Sequence, residues 1–191
     1  MKPTKIALGV VCYRIINPKT YLCLARLIAN SKAPILPLME EGCNQLENRE
    51  RLVRKAQNEQ CTHLLFIDSD MYFESDILEK LMAHDKDIVG AEYAYRELPR
   101  RSVIKSAANV TITEIPKELF KCYSIGGGLV LIKMSVFNKI ETPWFHMPAT
   151  EYGSTAMGHD VFFCQQARKA GYEIWCDPTL SIGHIGDYRY D

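Results

Sequence analysis

Alternating strand-like and helix-like stretches predict an α/β sandwich built around a mostly parallel sheet. Two short apolar runs, Lys5 to Cys12 and Leu64 to Ile67, have strand length and no polar alternation, as strands covered on both faces do. Stretches with helical spacing stand on either side of the second run. That run also stops abruptly on Asp68-Ser69-Asp70, which places two carboxylates at the carboxyl edge of a strand, where open α/β sheets bind ligands.

Taken in order, Lys5 to Cys12 is the first strand, with Tyr13-Arg14 at its end. Tyr21 to Asn30 has helical spacing from Leu24, Leu27 and Ile28, and Ala33 to Met39 reads as an extended piece punctuated by prolines. Asn44 to Glu59 sets Leu46, Leu52, Val53 and Ala56 on one helical face and feeds the central strand. After the acidic turn, Ser75 is the expected cap of a helix, with Asp76 in its first turn and a stripe of Ile77, Leu78, Leu81 and Met82. Asp87 to Ala91 is a short strand. From Glu92 to Phe120 the pattern is irregular and carries Arg96, Arg100, Arg101 and Lys105, either a functional loop or a solvated face. Gly126-Gly127-Gly128 precedes a further buried strand, Leu129 to Ile132. Trp144-Phe145 and Met147 to Met157 form an exposed loop before a helix over His159 to Ala170, which Gly171 closes as a C′ residue. Tyr172 to Cys176 and Leu180 to His184 complete the chain as extended pieces.

The length of 191 residues suits one domain spanning 1–191. Lys plus Arg equals Asp plus Glu at 23 each, so no global field draws the protein to nucleic acid or anionic lipid. Seven cysteines form no CxxC pair, and are expected to be reduced, buried and structural, in a cytoplasmic compartment. The first apolar run is too short for a secretory signal, and no stretch approaches the ~18 apolar residues of a membrane span.

Carboxylates two residues apart across a turn can face one hard cation, Mg²⁺ or Mn²⁺, although an acidic turn after a buried strand has the same pattern. Asp160, in the first turn of its helix, complements the helix dipole or serves as a general base. His184 is a strand-end histidine or a ligand. The three glycines make a tight bend or let backbone approach a ligand closely.

As an ordered series these pieces resemble the GT-A-fold glycosyltransferases, in particular small family-2-like members of bacteria and viruses. The matching residues are Arg49, Leu52-Val53, Thr62 to Met71, Gly126 to Gly128 with Val130 to Lys133, Pro143 to Phe145, Gly158 to Cys164, Gly171, Asp177-Pro178 and Gly183 to Gly186. The resemblance implies a Rossmann-like GT-A α/β/α sandwich that transfers a sugar from a nucleotide sugar, UDP-sugar favoured, to a glycan or other hydroxyl acceptor. It implies Mn²⁺ (or Mg²⁺) on Asp70 and His184, with Asp68 on the same ion or on the ribose. It also implies donor-substrate contacts at Val11, Tyr13, Arg49, Asp68, Ser69, Asp70, Gly127 and Gly128, with Asp160 the base of an inverting reaction or, in a retaining one, a residue that holds sugar hydroxyls. His159 stands where the family has Glu, and Glu50 where Asn tends to follow the arginine. The chain ends soon after His184 without the helices that often shape an acceptor cleft, which implies a catalytic core or a module of a longer protein.

Three other readings share parts of this pattern. A haloacid-dehalogenase-type phosphatase also carries Asp-x-Asp after a strand, but needs Thr or Val where Tyr72 stands. A sugar-nucleotide pyrophosphorylase requires a Gly-rich basic loop after its first strand, and Val10 to Arg14 is not one. A glycosyltransferase fold that only binds nucleotide sugar would have little reason to keep Asp68, Asp70, Asp160 and His184 together.

Overall fold

The computed structural model describes residues 3–107, 110–186 and 189–190. β1 (Ile6–Cys12) is buried along its length, and α1 (Pro18–Asn30) returns the chain to β2 (Ile35–Glu41), parallel to β1. α1 starts ahead of its apolar spacing because Asn17 accepts from Lys19 N–H and Pro18 occupies the first helical position, where its missing N–H loses no bond. Pro37 is tolerated in β2 because that strand is the sheet's edge. α2 (Gln45–Asn58), capped by Asn44, buries Leu52, Val53 and Ala56 and leads to β3 (His63–Asp68), parallel to β1 on its other side.

β4 (Met71–Phe73) follows the acidic turn at once, then α3 (Ile77–Ala83) and β5 (Ile88–Ala91). Ser75 does not cap α3: the helix begins at Ile77, Asp76 holds the cap position, and no side chain bonds the first turn. Among its described residues the irregular stretch holds β6 (Lys105–Ala107) and β7 (Val110–Thr111), and it runs into β8 (Phe120–Cys122). β9 (Leu129–Lys133) runs straight into α4 (Met134–Lys139), a helix too short to show a period in sequence. α5 (His159–Lys169), β10 (Ile174–Asp177), β11 (Ile182–Ile185) and β12 (Arg189–Tyr190) complete the order.

The seven-stranded sheet has the order β2-β1-β3-β9-β5-β10-β8. β2, β1, β3, β5 and β10 share one direction, while β9 and β8 oppose it. α2 and α4 pack together on one face, joined to α5 through the Phe137, Phe145 and Phe163 rings. α1 lies on the opposite face, as right-handed crossovers to strands on either side of β1 require, and its C-terminal end meets α3 where Lys32 N–H donates to Glu79. This is the Rossmann-like α/β/α sandwich of GT-A type, with a mostly parallel sheet, that the sequence predicts.

All seven cysteines are free thiols, and five are buried as expected. Cys122 is partly covered, and Cys43 is exposed because it lies in the loop after β2 and not in an apolar segment. Among the described residues no helix is long and apolar enough to cross a membrane.

Candidate functional site

The chain leaves β1 toward β2 on one side and returns to β3 on the other, so the carboxyl ends of β1 and β3 form the crevice where such sheets bind ligands. Asp68-Ser69-Asp70 lies there, and each residue of the turn is tied by backbone to a different segment. Asp68 N–H donates to Gly128 O at 3.0 Å, Ser69 N–H to Val11 O at 3.2 Å, and Asp70 O accepts from Ile185 N–H at 2.7 Å. Ser69 O also accepts from Asn17 N–H at 2.8 Å, which anchors the start of α1 to the turn. Antiparallel pairing of β4 with β11 puts His184 opposite Met71 and so brings it beside Asp70.

His184 Nδ1 donates to Ala94 O at 3.1 Å, since a carbonyl can only accept. In the neutral ring this leaves the lone pair on Nε2, which faces Asp70 Oδ2 at 3.4 Å. Two ligands each about 2.1 Å from one ion stand between about 3 and 4 Å apart, so the pair fits a single small cation. The imidazole is already oriented through its other nitrogen, as metal-bound histidines are. Arg96 Nη1 also reaches Asp70 Oδ2, at 3.1 Å, from a half-exposed side chain. Among the described residues no cage of three or more His, Cys, Asp or Glu forms. Mg²⁺-type ions that share substrate phosphates do not need one.

Behind the turn, Arg49 of α2 is 2% exposed and serves as a hub. Its Nη2 donates to Asp68 Oδ1 at 2.7 Å, Nη1 to Gly127 O at 3.1 Å and Nε to His159 Nε2 at 3.2 Å, while its Cζ lies 5.1 Å from the Phe66 ring centre. Burial lifts the Asp68 carboxyl above the usual range, with Asp160 and Asp70 adding to the push and Arg49 opposing it. Replacing Arg49 with leucine would leave Asp68 and Asp160 without this counter-charge. The expected cost is about 3 kcal/mol of unfolding free energy, read as a lower urea midpoint.

Because β9 is antiparallel to β3, it is the start of β9, with its glycines, that arrives at Asp68. A Cβ on Gly127 would sit 2.6 Å from Asp160 Oδ1 and 3.1 Å from Arg49 Cζ, and one on Gly128 would sit 2.6 Å from Tyr93 Oη. The glycines are therefore required by close packing of the protein's own polar side chains. Gly128 N–H donates to Tyr93 Oη at 2.8 Å, and burial, reinforced by Asp68 and Asp160, pushes that phenol well above its ordinary range.

Asp160 stands in the first turn of α5 as expected. Its Oδ1 is buried, lies 2.9 Å from His159 Nε2, and makes no well-aligned hydrogen bond. The ring nitrogen can serve only one of the two: unprotonated it accepts from Arg49 and leaves Oδ1 an open acceptor, and protonated it donates to Oδ1 as an ion pair, the arrangement in which it pulls that carboxyl down. Burial opposes ionisation of Asp160, but His159, Arg49 and the Gly127 N–H outweigh it and hold the carboxyl well below the usual carboxylate range.

These residues line a cleft of two lobes that meet at Gln45, Asp68 and His184. The wider lobe, about 770 Å³, is bounded by Val11, Tyr13, Arg14, Ser69, Asp70 and Arg96. The narrower, about 350 Å³, holds Asp160 and His159 beside Tyr93, Tyr95 and Lys105. Every site residue named from sequence lies in or directly behind this cleft. Gly127 and Gly128 lie behind it, and of the three glycines only Gly126 lines the narrower lobe. Sequence reasoning missed Tyr93, Arg96 and Gln45. The basic, aromatic character of the irregular stretch after β5 was the available signal for the first two. Glu50, unlike the residue expected after Arg49, accepts Phe145 N–H at 2.9 Å and so fastens α2 to the segment that leads toward α5.

Fold and cleft together define an α/β protein with a polar, cation-compatible site at the sheet's switch point. The crystal structure of A197 from STIV superposes with a TM-score of 0.67 at 18% identity, covering 96% of this chain and 86% of that one, a likeness of fold. Weaker superpositions include apo UDP-glucose pyrophosphorylase (TM-score 0.47, 8% identity, 95% of this chain and 76% of that one). The inositol-1-phosphate CTP transferase from T. maritima gives a TM-score of 0.47 at 10% identity, with 93% and 88% covered. No family model and no curated protein sequence matches the chain.

Proposed function

We propose that this chain is a metal-dependent glycosyltransferase, which moves a sugar from a nucleoside diphosphate donor to an acceptor hydroxyl with inversion. The observation that carries the reading is the Asp70–His184 pair, with its imidazole pre-oriented by Ala94 O, at the mouth of a cleft whose other lobe holds Asp160. A Mn²⁺ or Mg²⁺ ion held by Asp70 and His184 would neutralise charge on the departing diphosphate. The wider lobe takes the nucleotide, with Tyr13 and Arg14 at its rim and Asp68 held toward the ribose by Arg49. A uridine nucleotide is favoured on the family resemblance. In the narrower lobe the Asp160 carboxylate takes the proton of the acceptor hydroxyl as the hydroxyl oxygen bonds to the anomeric carbon. The bond from that carbon to the diphosphate oxygen breaks, and its electron pair leaves with the nucleotide. The low pKa of Asp160 keeps it an ionised acceptor.

The test is Mn²⁺-dependent release of nucleoside diphosphate from a panel of UDP-, GDP-, CDP- and dTDP-sugars with glycan acceptors. Acceptor-dependent release from one of them supports the reading. Tight binding of a nucleotide sugar with no release under any condition would make the protein a binding module instead.

Activity should fall as pH drops through the folded pKa of Asp160, which lies below the ordinary carboxylate value. His159 gives the largest downward pull on that group, so His159→Gln should raise the pKa and move the acid limb of the turnover profile to higher pH. An unmoved acid limb would show that Asp160 does not set it.

A further inference from the structure

Asp70 Oδ2 is claimed twice. Arg96 Nη1 reaches it at 3.1 Å and His184 Nε2 faces it at 3.4 Å, so the guanidinium occupies the neighbourhood a cation would need. The Arg96 side chain is 53% exposed and its only ion pair among the described residues is this one. It also lines the wider lobe, where the diphosphate is placed. Two residues before it, Ala94 O holds His184 Nδ1, so the segment that carries the arginine also orients the second metal ligand.

We infer that Arg96 and the divalent cation compete for Asp70, and that the displaced guanidinium turns to the diphosphate of the nucleotide. This rests on the metal-dependent reading above. Asp70 is 24% exposed, but with the guanidinium half in solvent the pair is screened and contributes on the order of 1 kcal/mol or less, so it yields readily to a divalent ion. A guanidinium offers a diphosphate a bidentate, charge-assisted contact that is stronger than the one it leaves. The same residue then opposes cation binding to the free protein and favours nucleotide binding once the cation is present. Arg96 thereby couples the two ligands so that they bind together better than either binds alone.

The discriminating experiment measures free Mn²⁺ by electron paramagnetic resonance and UDP affinity by calorimetry, for the parent, Arg96→Gln, Arg96→Lys and Arg14→Gln proteins. Without nucleotide, Arg96→Gln should bind Mn²⁺ several-fold more tightly than the parent, up to about fivefold. At saturating Mn²⁺ it should bind UDP at least about tenfold more weakly. Arg14 lines the same lobe but makes no ion pair with Asp70, so Arg14→Gln should weaken UDP binding without comparable tightening of Mn²⁺. Arg96→Lys should restore part of the UDP affinity.

Equal tightening of Mn²⁺ by both glutamine variants would reduce the effect to general charge and overturn the competition. Unchanged Mn²⁺ affinity in Arg96→Gln, with a parent that binds Mn²⁺, would overturn it while leaving the metal site intact. Absence of Mn²⁺ binding in every protein, with or without UDP, would instead remove the metal reading and this inference with it.

Discussion

Asp70→Asn should lose Mn²⁺-dependent nucleotide binding by about 100-fold or more while folding normally. Loss of an outer-shell partner alone costs about 10- to 100-fold in metal affinity, and Asp70 would supply the only carboxylate oxygen in the pair with His184. The amide keeps the shape of the side chain and the backbone bond to Ile185 N–H, so the turn itself should persist. Its ionic partner Arg96 is half exposed, and release of that pair contributes little to stability. Calorimetric titration with UDP and Mn²⁺ checks the binding, and a thermal melt within a degree or two of the parent checks the fold. Parent-like binding of both ligands would place the cation elsewhere.

Asp160→Asn should separate binding from turnover. Removal of a general base costs about 10²- to 10⁴-fold in rate. Asp160 lies in the narrower lobe, outside the Asp70–His184 pair, so affinity for the nucleotide should stay within a few-fold. Turnover near the parent value would end the assignment. A proportional loss of donor-substrate binding and rate would mean that Asp160 holds the sugar and does not remove a proton.

The sequence showed the parts of the site that obey local rules. β1, β3 and the acidic turn were legible because a buried strand must be apolar and must shed charge at its end. α2 and α5 were legible from their spacing and from Gly171, whose φ of 90° is the left-handed C′ position expected of it. What escaped depended on pairing between distant segments. Nothing in Leu129 to Ile132 says that the strand runs against its neighbours, yet that direction is why Gly127 and Gly128 reach Arg49 and Asp68. Met71 to Phe73 is too short to show a period and has no element of its own in the sequence pattern, but pairing with β11 makes it the strand that delivers His184. His159 was noted as a departure from Glu, and its bond to Arg49 crosses 110 positions of chain, beyond any local pattern. Arg96 is one charge among several on a stretch that reads as a functional loop or a solvated face, and only the fold sets it on Asp70.

The site joins two carboxylates that carry different loads. Asp68 is backed by a buried arginine and fixed by Gly128, so it is a rigid wall of the cleft. Asp70 faces an exposed arginine and a histidine whose orientation is set from behind, so its charge is exchangeable. A rigid acidic floor beside an exchangeable one suits a ligand that brings its own phosphates and shares a cation with the protein.

The most direct measurement is thermal stability with UDP, GDP, CDP and dTDP, each with and without Mn²⁺. A ligand that binds only the folded protein adds RT ln(1 + [L]/Kd), about 2.7 kcal/mol at 100 times Kd. For a domain of this length that is a rise of roughly 5–10 °C in Tm. The account predicts such a rise for one nucleotide, UDP favoured, only when Mn²⁺ is present, and its absence in Asp70→Asn. A melt that none of the four nucleotides moves, with or without the ion, would contradict it.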